Sequence, residues 1–157
     1  MSHASAETTW KYSEIEDNFT DKTHHVASIH VAPITNTLPL PSDNFKASFE
    51  CRNGKEFAFS LYGNKNLGER NGPFKVQYRV DDKHSKTIRM RIFSNSETGG
   101  MNKVSAIDIA NDVLNAERLR VRVLAANGDR YDAEVSLENS KQSILKTIEA
   151  CGLYVRD

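Results

Sequence analysis

The sequence predicts an α+β fold, in which an antiparallel sandwich-like or curved β-sheet carries two packed helices. From Phe45 onward, six segments alternate apolar and polar residues with the period that half-buried strands show. Two further segments have the spacing of amphipathic helices. The chain has 157 residues, which is enough to bury a core without a metal or a framework of several disulfides.

The polar N-terminal region predicts an extension over residues 1–25, ahead of a single α+β domain over residues 26–157. Pro33, Pro39 and Pro41 indicate an extended connector before the regular strands. The first residues lack the basic and apolar regions of an intact signal peptide, although "ASA" resembles the small-residue end of one. A random polar tail explains the same residues, so both interpretations stay open.

In the hairpin "FKASFECRNGKEFAFSLY", residues 45–62, the separation of apolar from polar residues onto two faces predicts the register of the strands. A three-residue loop at 53–55 sets Cys51 opposite Phe57 and keeps the apolar residues on one face. A two-residue turn mixes the faces, so the longer loop is preferred.

The last hairpin, formed by "RLRVRVLA" and "RYDAEVSL", passes the same test with a three-residue loop at 127–129. This register sets Arg122 opposite Glu134 and Arg118 opposite Glu138, two favourable pairs of opposite charge. Both hairpins therefore predict an antiparallel sheet with one apolar face.

Two segments in the second half of the chain predict helices. In "SAIDIANDVLNAE", Ser105 with Asp108 offers a capping box. In "NSKQSILKTIEACG", Asn139 is the predicted N-cap and Gly152 the predicted C-terminal stop. The predicted buried faces are Ile107, Ala110, Val113 and Leu114 in the first helix, and Ile144, Leu145, Ile148 and Cys151 in the second.

The chain has two cysteines, and both belong to predicted apolar faces. If Cys51 and Cys151 are bridged, they close a loop of about 100 residues, and the bridge indicates an oxidising compartment. The alternative is a pair of unrelated buried thiols in a cytosolic protein. Their spacing fits no metal motif.

Several short motifs follow one another along the chain. They are W-x-x-S…D at Trp10, Ser13 and Asp17, C-x-x-G at Cys51 and Gly54, "YRVDD" over residues 78–82, Ser94 after a strand, "LRVRV" over residues 119–123, and a last helix that ends in Cys151. In this order they resemble the small secreted accessory family found with bacterial type VI secretion clusters, and related periplasmic domains. The chain departs from the family pattern at "AEVSLENS" and at the residues between Cys151 and Tyr154. The resemblance implies an exported α+β domain with one disulfide, and it supplies no catalytic residues.

Composition and motifs narrow the possible functions. The chain carries 21 basic and 21 acidic residues, and this balance argues against a general nucleic-acid or membrane-surface role. No apolar run approaches the roughly 20 residues of a membrane span. The five histidines lack metal-ligand spacing, and no nucleophile–base pair stands out. We therefore predict no enzyme activity, cofactor, metal site or nucleic-acid partner.

Two loops are candidate binding segments. The loop "GNKNLGERNG" over residues 63–72 carries the charged residues Lys65, Glu69 and Arg70. The loop "SNSETGG" over residues 94–100 is the second candidate.

A face of arginines is the third candidate. If Val80 pairs with Ile88, Arg79 lies directly opposite Arg89, with Arg91 adjacent. Facing like charges destabilise a sheet unless an anion joins them. One interpretation is an anion or acidic-partner site, and the other is a neighbouring structural acid such as Glu50.

These observations predict a non-enzymatic, exported accessory or binding protein of the bacterial envelope, with a protein partner and a link to type VI secretion. One alternative is a periplasmic inhibitor of a cell-wall hydrolase that presents the loop 63–72. The other is a cytosolic or phage-encoded binder of an anionic ligand. The expected location is the periplasm or the exterior, with the cytoplasm as the alternative.

Overall fold

The computed structural model describes residues 9–30, 32–33, 45–63 and 65–154. Its strands are β1 (Lys11–Asp17), β2 (Lys22–His30), β3 (Ala32–Pro33), β4 (Lys46–Arg52), β5 (Glu56–Tyr62), β6 (Pro73–Val80), β7 (Lys86–Ile92), β8 (Gly99–Asn102), β9 (Arg118–Leu124) and β10 (Arg130–Ser136). Its helices are α1 (Ala106–Val113) and α2 (Lys141–Ala150).

The ten strands form one sheet in the order β1-β2-β4-β5-β8-β7-β6-β9-β10-β3, and the pairings between described residues are antiparallel. β2 pairs with β4, and β3, which begins two residues after β2 ends, pairs with β10. β2 is the second strand from one edge of the sheet and β3 is the strand at the opposite edge. Because these two strands are adjacent in sequence, the sheet has to curve strongly. The prediction of an α+β fold with a curved antiparallel sheet and two helices is confirmed.

Both helices lie on the inner face of the sheet, where they complete the core. α2 packs against β1, β2 and β4, and α1 packs against β5. Phe49 is fully buried, with the ring centroids of Phe57 and Phe59 at 5.9 and 5.1 Å. The other fully buried large side chains include Leu61, Val76, Ile92, Ile109, Val113, Val123, Val135, Ile144 and Ile148.

The described part of the predicted N-terminal extension belongs to the sheet. Trp10 is 5% exposed, its ring stacks on Phe49 with the centroids 6.3 Å apart, and its Nε1 donates to the carbonyl of Ser136 at 2.8 Å. β1 pairs with β2 along its whole length, so a boundary after residue 25 falls inside β2. Burial of the Trp10 ring and the β1–β2 ladder join this segment to the domain. The "ASA" segment and the connector prolines Pro39 and Pro41 lie outside the described residues.

The first long hairpin has the predicted register. Residues 53–55 form its loop, and Cys51 lies opposite Phe57. Asn53 and Gly54 have φ values of 57° and 70°, a left-handed conformation that asparagine and glycine tolerate best. The separation of the two faces was sufficient to predict this pairing.

The last hairpin is offset by two residues from the predicted register. Its loop spans residues 125–129, so Arg122 faces Asp132 rather than the predicted glutamate. The longer loop forms because the amide of Ala126 donates to the carbonyl of Leu67 at 2.9 Å, in a neighbouring connection of the fold. An offset of two residues keeps every side chain on its predicted face.

The α1 N-cap and the α2 C-terminus lie where they were predicted, whereas the α1 capping box and the α2 N-cap do not. Ser105 is the N-cap of α1 but makes no side-chain capping bond, and its amide donates to Oδ1 of Asn102 at 2.7 Å rather than to Asp108. The N-cap of α2 is Ser140, one residue after the predicted asparagine. Gly152 has a φ of 69° and donates to Glu149, while the next amide donates to Ile148, which completes a Schellman motif.

Cys51 and Cys151 form a disulfide, with their Cα atoms 5.6 Å apart. Cys51 lies on the inner face of β4 and Cys151 is the C-cap residue of α2, so the bridge fixes the end of α2 to the sheet. The predicted pairing is confirmed. Within the described residues, no helix has the length and apolar character that crossing a membrane requires.

Candidate functional site

The outer face of β6, β7 and β9 is rich in cations. Because side chains alternate along a strand, the residues between the buried core positions point away from the helices. We call these outward cations the basic face: Lys75, Arg79, Arg89, Arg91, Arg118, Arg120 and Arg122. The predicted outward position of the three candidate arginines on β6 and β7 is found in the structure.

The predicted opposition of Arg79 and Arg89 is wrong. Val76, not Val80, faces Ile88, so Arg89 lies opposite Lys75. The β6–β7 register differs from the predicted one by four residues, and β6 continues past the start of β7 to pair with β9 as far as Val80. Arg79 instead lies opposite an arginine of β9.

A groove of about 690 Å³ opens on this face beside β7. β8 is only four residues long and meets β7 at two positions before the chain turns toward α1. The floor and rim include the apolar side chains of Pro73, Phe93, Met101 and Val104, the last of which is 91% exposed. The basic side chains around the groove are Arg52, Arg89, Arg91 and Lys103.

The two central cations of the groove have no acidic partner among the described residues. Arg89 is exposed, and its side chain makes no ion pair or hydrogen bond within that part of the chain. Arg91 donates through Nη1 to the backbone carbonyl of Asn71 at 3.3 Å, which leaves its charge uncompensated. The flanking Lys103 lies 3.1 Å from Glu56, in an ion pair whose members are both about half exposed. The groove therefore carries an excess of positive charge among the described residues.

Glu50 has a structural role at the edge of the groove. It is 9% exposed and accepts hydrogen bonds from Tyr62 at 2.9 Å and from Ser48 and Ser60 at 3.4 Å. Burial, reinforced by the neighbouring carboxylate, raises the pKa of Tyr62 well above its usual value. Nε of Arg52 lies 3.9 Å from this carboxylate. The structure thus places Glu50 beside Arg52 and gives it no contact with Arg79 or Arg89.

The structure brings the two candidate loops together. The amide of Leu67 donates to Glu97 at 2.9 Å, that of Gly63 donates to Thr98 at 2.8 Å, and the side chain of Asn66 donates to Glu97 at 2.7 Å. Leu67 is buried, which anchors the middle of the first loop. Its predicted binding residues Lys65, Glu69 and Arg70 are exposed, and they lie outside the groove lining.

Sequence reasoning missed several cations of this surface. Arg52 follows Cys51 on β4 and is directed to the opposite face, so the alternation that placed the cysteine inside also places the arginine outside. The same rule applies to Arg120 on β9, whereas Arg122 was already predicted to lie opposite an acid. Lys103 follows β8 and could not be found this way, because it joins the groove only where the chain leaves the sheet.

The chemistry of the groove is that of anion recognition. Guanidinium groups carry fixed forks of donors that match carboxylate and phosphate oxygens. Among the described residues, no group of three or more histidine, cysteine, aspartate or glutamate side chains is arranged to hold a metal ion.

Comparison with protein-family models, with curated proteins and with solved structures gives no match for this chain. The similarity to the type VI secretion-associated family therefore stays a prediction that depends on the quoted motifs.

Proposed function

We propose that this protein is a non-enzymatic binding protein that captures an acidic protein segment in the groove beside β7. The observation that carries the proposal is the pair Arg89 and Arg91, which line the groove without a carboxylate partner among the described residues. Two cations on alternate residues of one strand project from the same face. A carboxylate-rich segment supplies the charge that this part of the groove lacks.

The apolar surface of the groove specifies the partner further. Val104 is 91% exposed, and Met101 and Phe93 line the same groove. An acidic segment that also carries an aliphatic or aromatic side chain buries this surface, and burial contributes roughly 25 cal/mol per Å² of apolar area. The guanidinium groups then contribute orientation and rate of association more than raw affinity.

The disulfide supports an oxidising location for this interaction. Such bonds persist in the periplasm and outside the cell and are rare in the cytosol of mesophiles. We therefore propose an exported accessory protein of the bacterial envelope, and the resemblance to the type VI secretion-associated family supports an accessory role in that system.

The test compares two substitutions on the same face. Arg89→Glu changes a groove cation, whereas Lys75→Gln removes the charge of the residue directly opposite it, which does not line the groove, without placing an acid beside Arg89. A fluorescent peptide of alternating Glu and Leu serves as the probe, and fluorescence anisotropy measures binding between about 20 and 300 mM salt. We expect Arg89→Glu to weaken binding at least tenfold and Lys75→Gln to weaken it less than threefold.

The affinity of the unmodified protein is expected to fall as salt is added, because the ion pairs are exposed to solvent. Equal binding by the parent and Arg89→Glu proteins, with unchanged melting temperatures, contradicts the proposal. Equal losses in both variants contradict it as well, since they show attraction to the whole face rather than to the groove.

A specific observation also favours a second function, the inhibition of a cell-wall hydrolase by the loop 63–72. Its backbone is held by hydrogen bonds to Glu97 and Thr98 while the side chains of Lys65 and Arg70 project into solvent. A loop held in one conformation binds with a smaller entropy cost. Slowed peptidoglycan hydrolysis that is lost in Arg70→Ala but kept in Arg89→Glu supports inhibition, and unaffected hydrolysis excludes it for the enzyme tested.

A further inference from the structure

A second basic cluster lies on the same face, between β6 and β9. The ladder sets Arg79 directly opposite Arg120 and sets Gln77 opposite Arg122. Like charges directly opposite each other destabilise a strand pair. Two arginines face each other at this position, so their charge requires compensation by other groups.

The hydrogen bonds of the two arginines go to neutral acceptors. Arg79 donates through Nε to the carbonyl of Lys83 at 2.8 Å and through Nη2 to that of Asp82 at 3.3 Å. Arg120 donates through Nη2 to the carbonyl of Asp81 at 3.0 Å. Nε of Arg120 is buried and has no hydrogen-bond partner in the part of the chain that the structure describes. A buried donor without an acceptor is costly, and nearly all such groups in proteins find one.

The nearby acids leave the two arginines without a hydrogen-bonded carboxylate. Asp132 accepts from Nε and Nη2 of Arg122 at 2.9 and 3.0 Å, in a bidentate pair that neutralises that guanidinium. The Asp82 carboxylate is 90% exposed and makes only long ion pairs, at 3.7 Å from Nη2 of Arg118 and 3.9 Å from Nη2 of Arg120. No carboxylate in the described residues therefore lies within hydrogen-bond distance of Arg79 or Arg120.

A cleft of about 370 Å³ opens at this cluster. Besides the two arginines, its lining includes the Ser85 hydroxyl from the β6–β7 connection and the Gln77 amide from β6. No residue lines both this cleft and the groove beside β7, so the two sites are separate. The cleft thus combines an excess of positive charge with neutral donors from β6 and from the β6–β7 connection, since the acid in its lining, Asp132, is paired with Arg122.

We propose that this cleft binds a tetrahedral oxyanion, the terminal group of a phosphate or sulfate, between Arg79 and Arg120. Such an anion lies between the two opposed guanidinium groups and replaces their repulsion with charge-assisted hydrogen bonds. A small shift of the Arg120 side chain brings its buried Nε to the anion. A carboxylate has only two oxygens, whereas a tetrahedral group offers three or four to donors that approach from two strands and a turn. The site is independent of the acidic segment proposed for the groove.

The test measures binding of inorganic phosphate and sulfate at constant ionic strength, with acetate as the carboxylate control. Amide chemical shifts in NMR spectra report the site, and residues 77–85 and 118–122 are expected to move in a saturable way. O-phosphoserine distinguishes the source of the group: tighter binding than phosphate indicates an ester on a partner, and weaker binding indicates the free ion. Either result supports the oxyanion site.

Three variants make the test specific. Arg79→Gln and Arg120→Gln are each expected to weaken phosphate binding at least tenfold, because each removes one side of the clamp. Lys75→Gln, on the same strand as Arg79 but outside the cleft, is expected to change it less than twofold. The melting temperature of each variant is measured without phosphate as the control for folding, because Arg79→Gln also removes two hydrogen bonds to the carbonyls of Lys83 and Asp82.

Three outcomes overturn the proposal. The first is the absence of saturable shifts at these residues up to about 50 mM phosphate. The second is acetate binding as tightly as phosphate, which shows that tetrahedral geometry is not recognised. The third is an equal loss of affinity in all three variants, which shows general attraction to a cationic surface. Because Arg89 does not line the cleft, Arg89→Glu should keep phosphate binding even if the groove proposal fails.

Discussion

Removing the disulfide should lower the free energy of unfolding by an amount that depends on the separation of the two cysteines in the sequence. The bridge joins residues that are 100 positions apart. In the chain-entropy account, a loop of this length restricts the unfolded chain by about 4.7 kcal/mol. Replacing both Cys51 and Cys151 by alanine should therefore cost about 4 to 5 kcal/mol of unfolding free energy. For a urea m-value of about 2 kcal/mol per molar, the midpoint should fall by about 2 M.

The chain provides its own probe for this experiment. Its single tryptophan, Trp10, is buried and stacks on Phe49, two residues from Cys51 on the same face of β4. Its fluorescence should therefore report the unfolding of the region that the bridge constrains. The parent protein is measured with and without reductant beside the double-alanine variant, and alkylation followed by intact-mass analysis verifies the redox state.

Two comparisons test the reasoning. The reduced parent and the double-alanine variant should unfold at nearly the same urea concentration, because each lacks the cross-link. If the verified reduced and oxidised parent proteins have the same midpoint, the loop-closure account is wrong for this protein. If the double-alanine variant is far less stable than the reduced parent, packing at the fully buried Cys51 matters more than the cross-link.

Three further variants test the fold. Gly100→Ala should strongly destabilise the protein in thermal unfolding, because a Cβ there collides with the Phe74 ring and lies 2.5 Å from a backbone oxygen; an unchanged melting temperature contradicts this packing. Phe59→Ala should cost roughly 3 to 5 kcal/mol in urea unfolding, whereas Phe19→Ala, whose ring is 97% exposed, should cost almost nothing. The pKa of Asp17 is lowered mainly by the Phe19 amide, which donates to the Asp17 carboxylate at 2.9 Å. The stability that this ionised carboxylate contributes is therefore present above the ordinary aspartate pKa and is lost as pH falls through the lowered pKa. If NMR shows that the Asp17 carboxyl titrates at or above its ordinary pKa, this account is wrong.

The sequence by itself identified six of the strands, β4 to β7, β9 and β10, and most of the core. Alternation of apolar and polar residues is a local property, so Phe49, Phe59 and Val76 could be placed on the inner face without knowing which strands are neighbours. The buried faces of the helices were predicted less accurately, because a short helix can rotate about its axis. In α1, Ile109 is fully buried, whereas Ile107, which was expected in the core, is only partly buried.

The place of the N-terminal region in the sheet could not be predicted from the sequence, because its strands carry little apolar alternation. β1 is exposed along most of its length, so its sequence shows almost none of the pattern that identifies a half-buried strand. What joins this segment to the domain is Trp10, whose acceptor Ser136 lies 126 positions away in β10. A contact of this kind depends on the closure of the sheet and leaves no local pattern.

The sequence determined which residues are basic and on which face they lie, and the tertiary structure decided which of them meet. The face on which a side chain lies depends only on whether its position in the strand is odd or even, so an error of two or four residues in register leaves that face unchanged. The residue that lies opposite a given side chain depends on the exact register and on the strand order. Connections such as the β6–β7 turn and the β9–β10 loop determine the register through contacts with distant segments. Arg79 therefore lies opposite Arg120, forty-one positions away, because β6 pairs with β9 as well as β7. Likewise, β5 and β8 lie between β4 and β7 in the sheet, and this order brings Arg52, Arg91 and Lys103 to one groove.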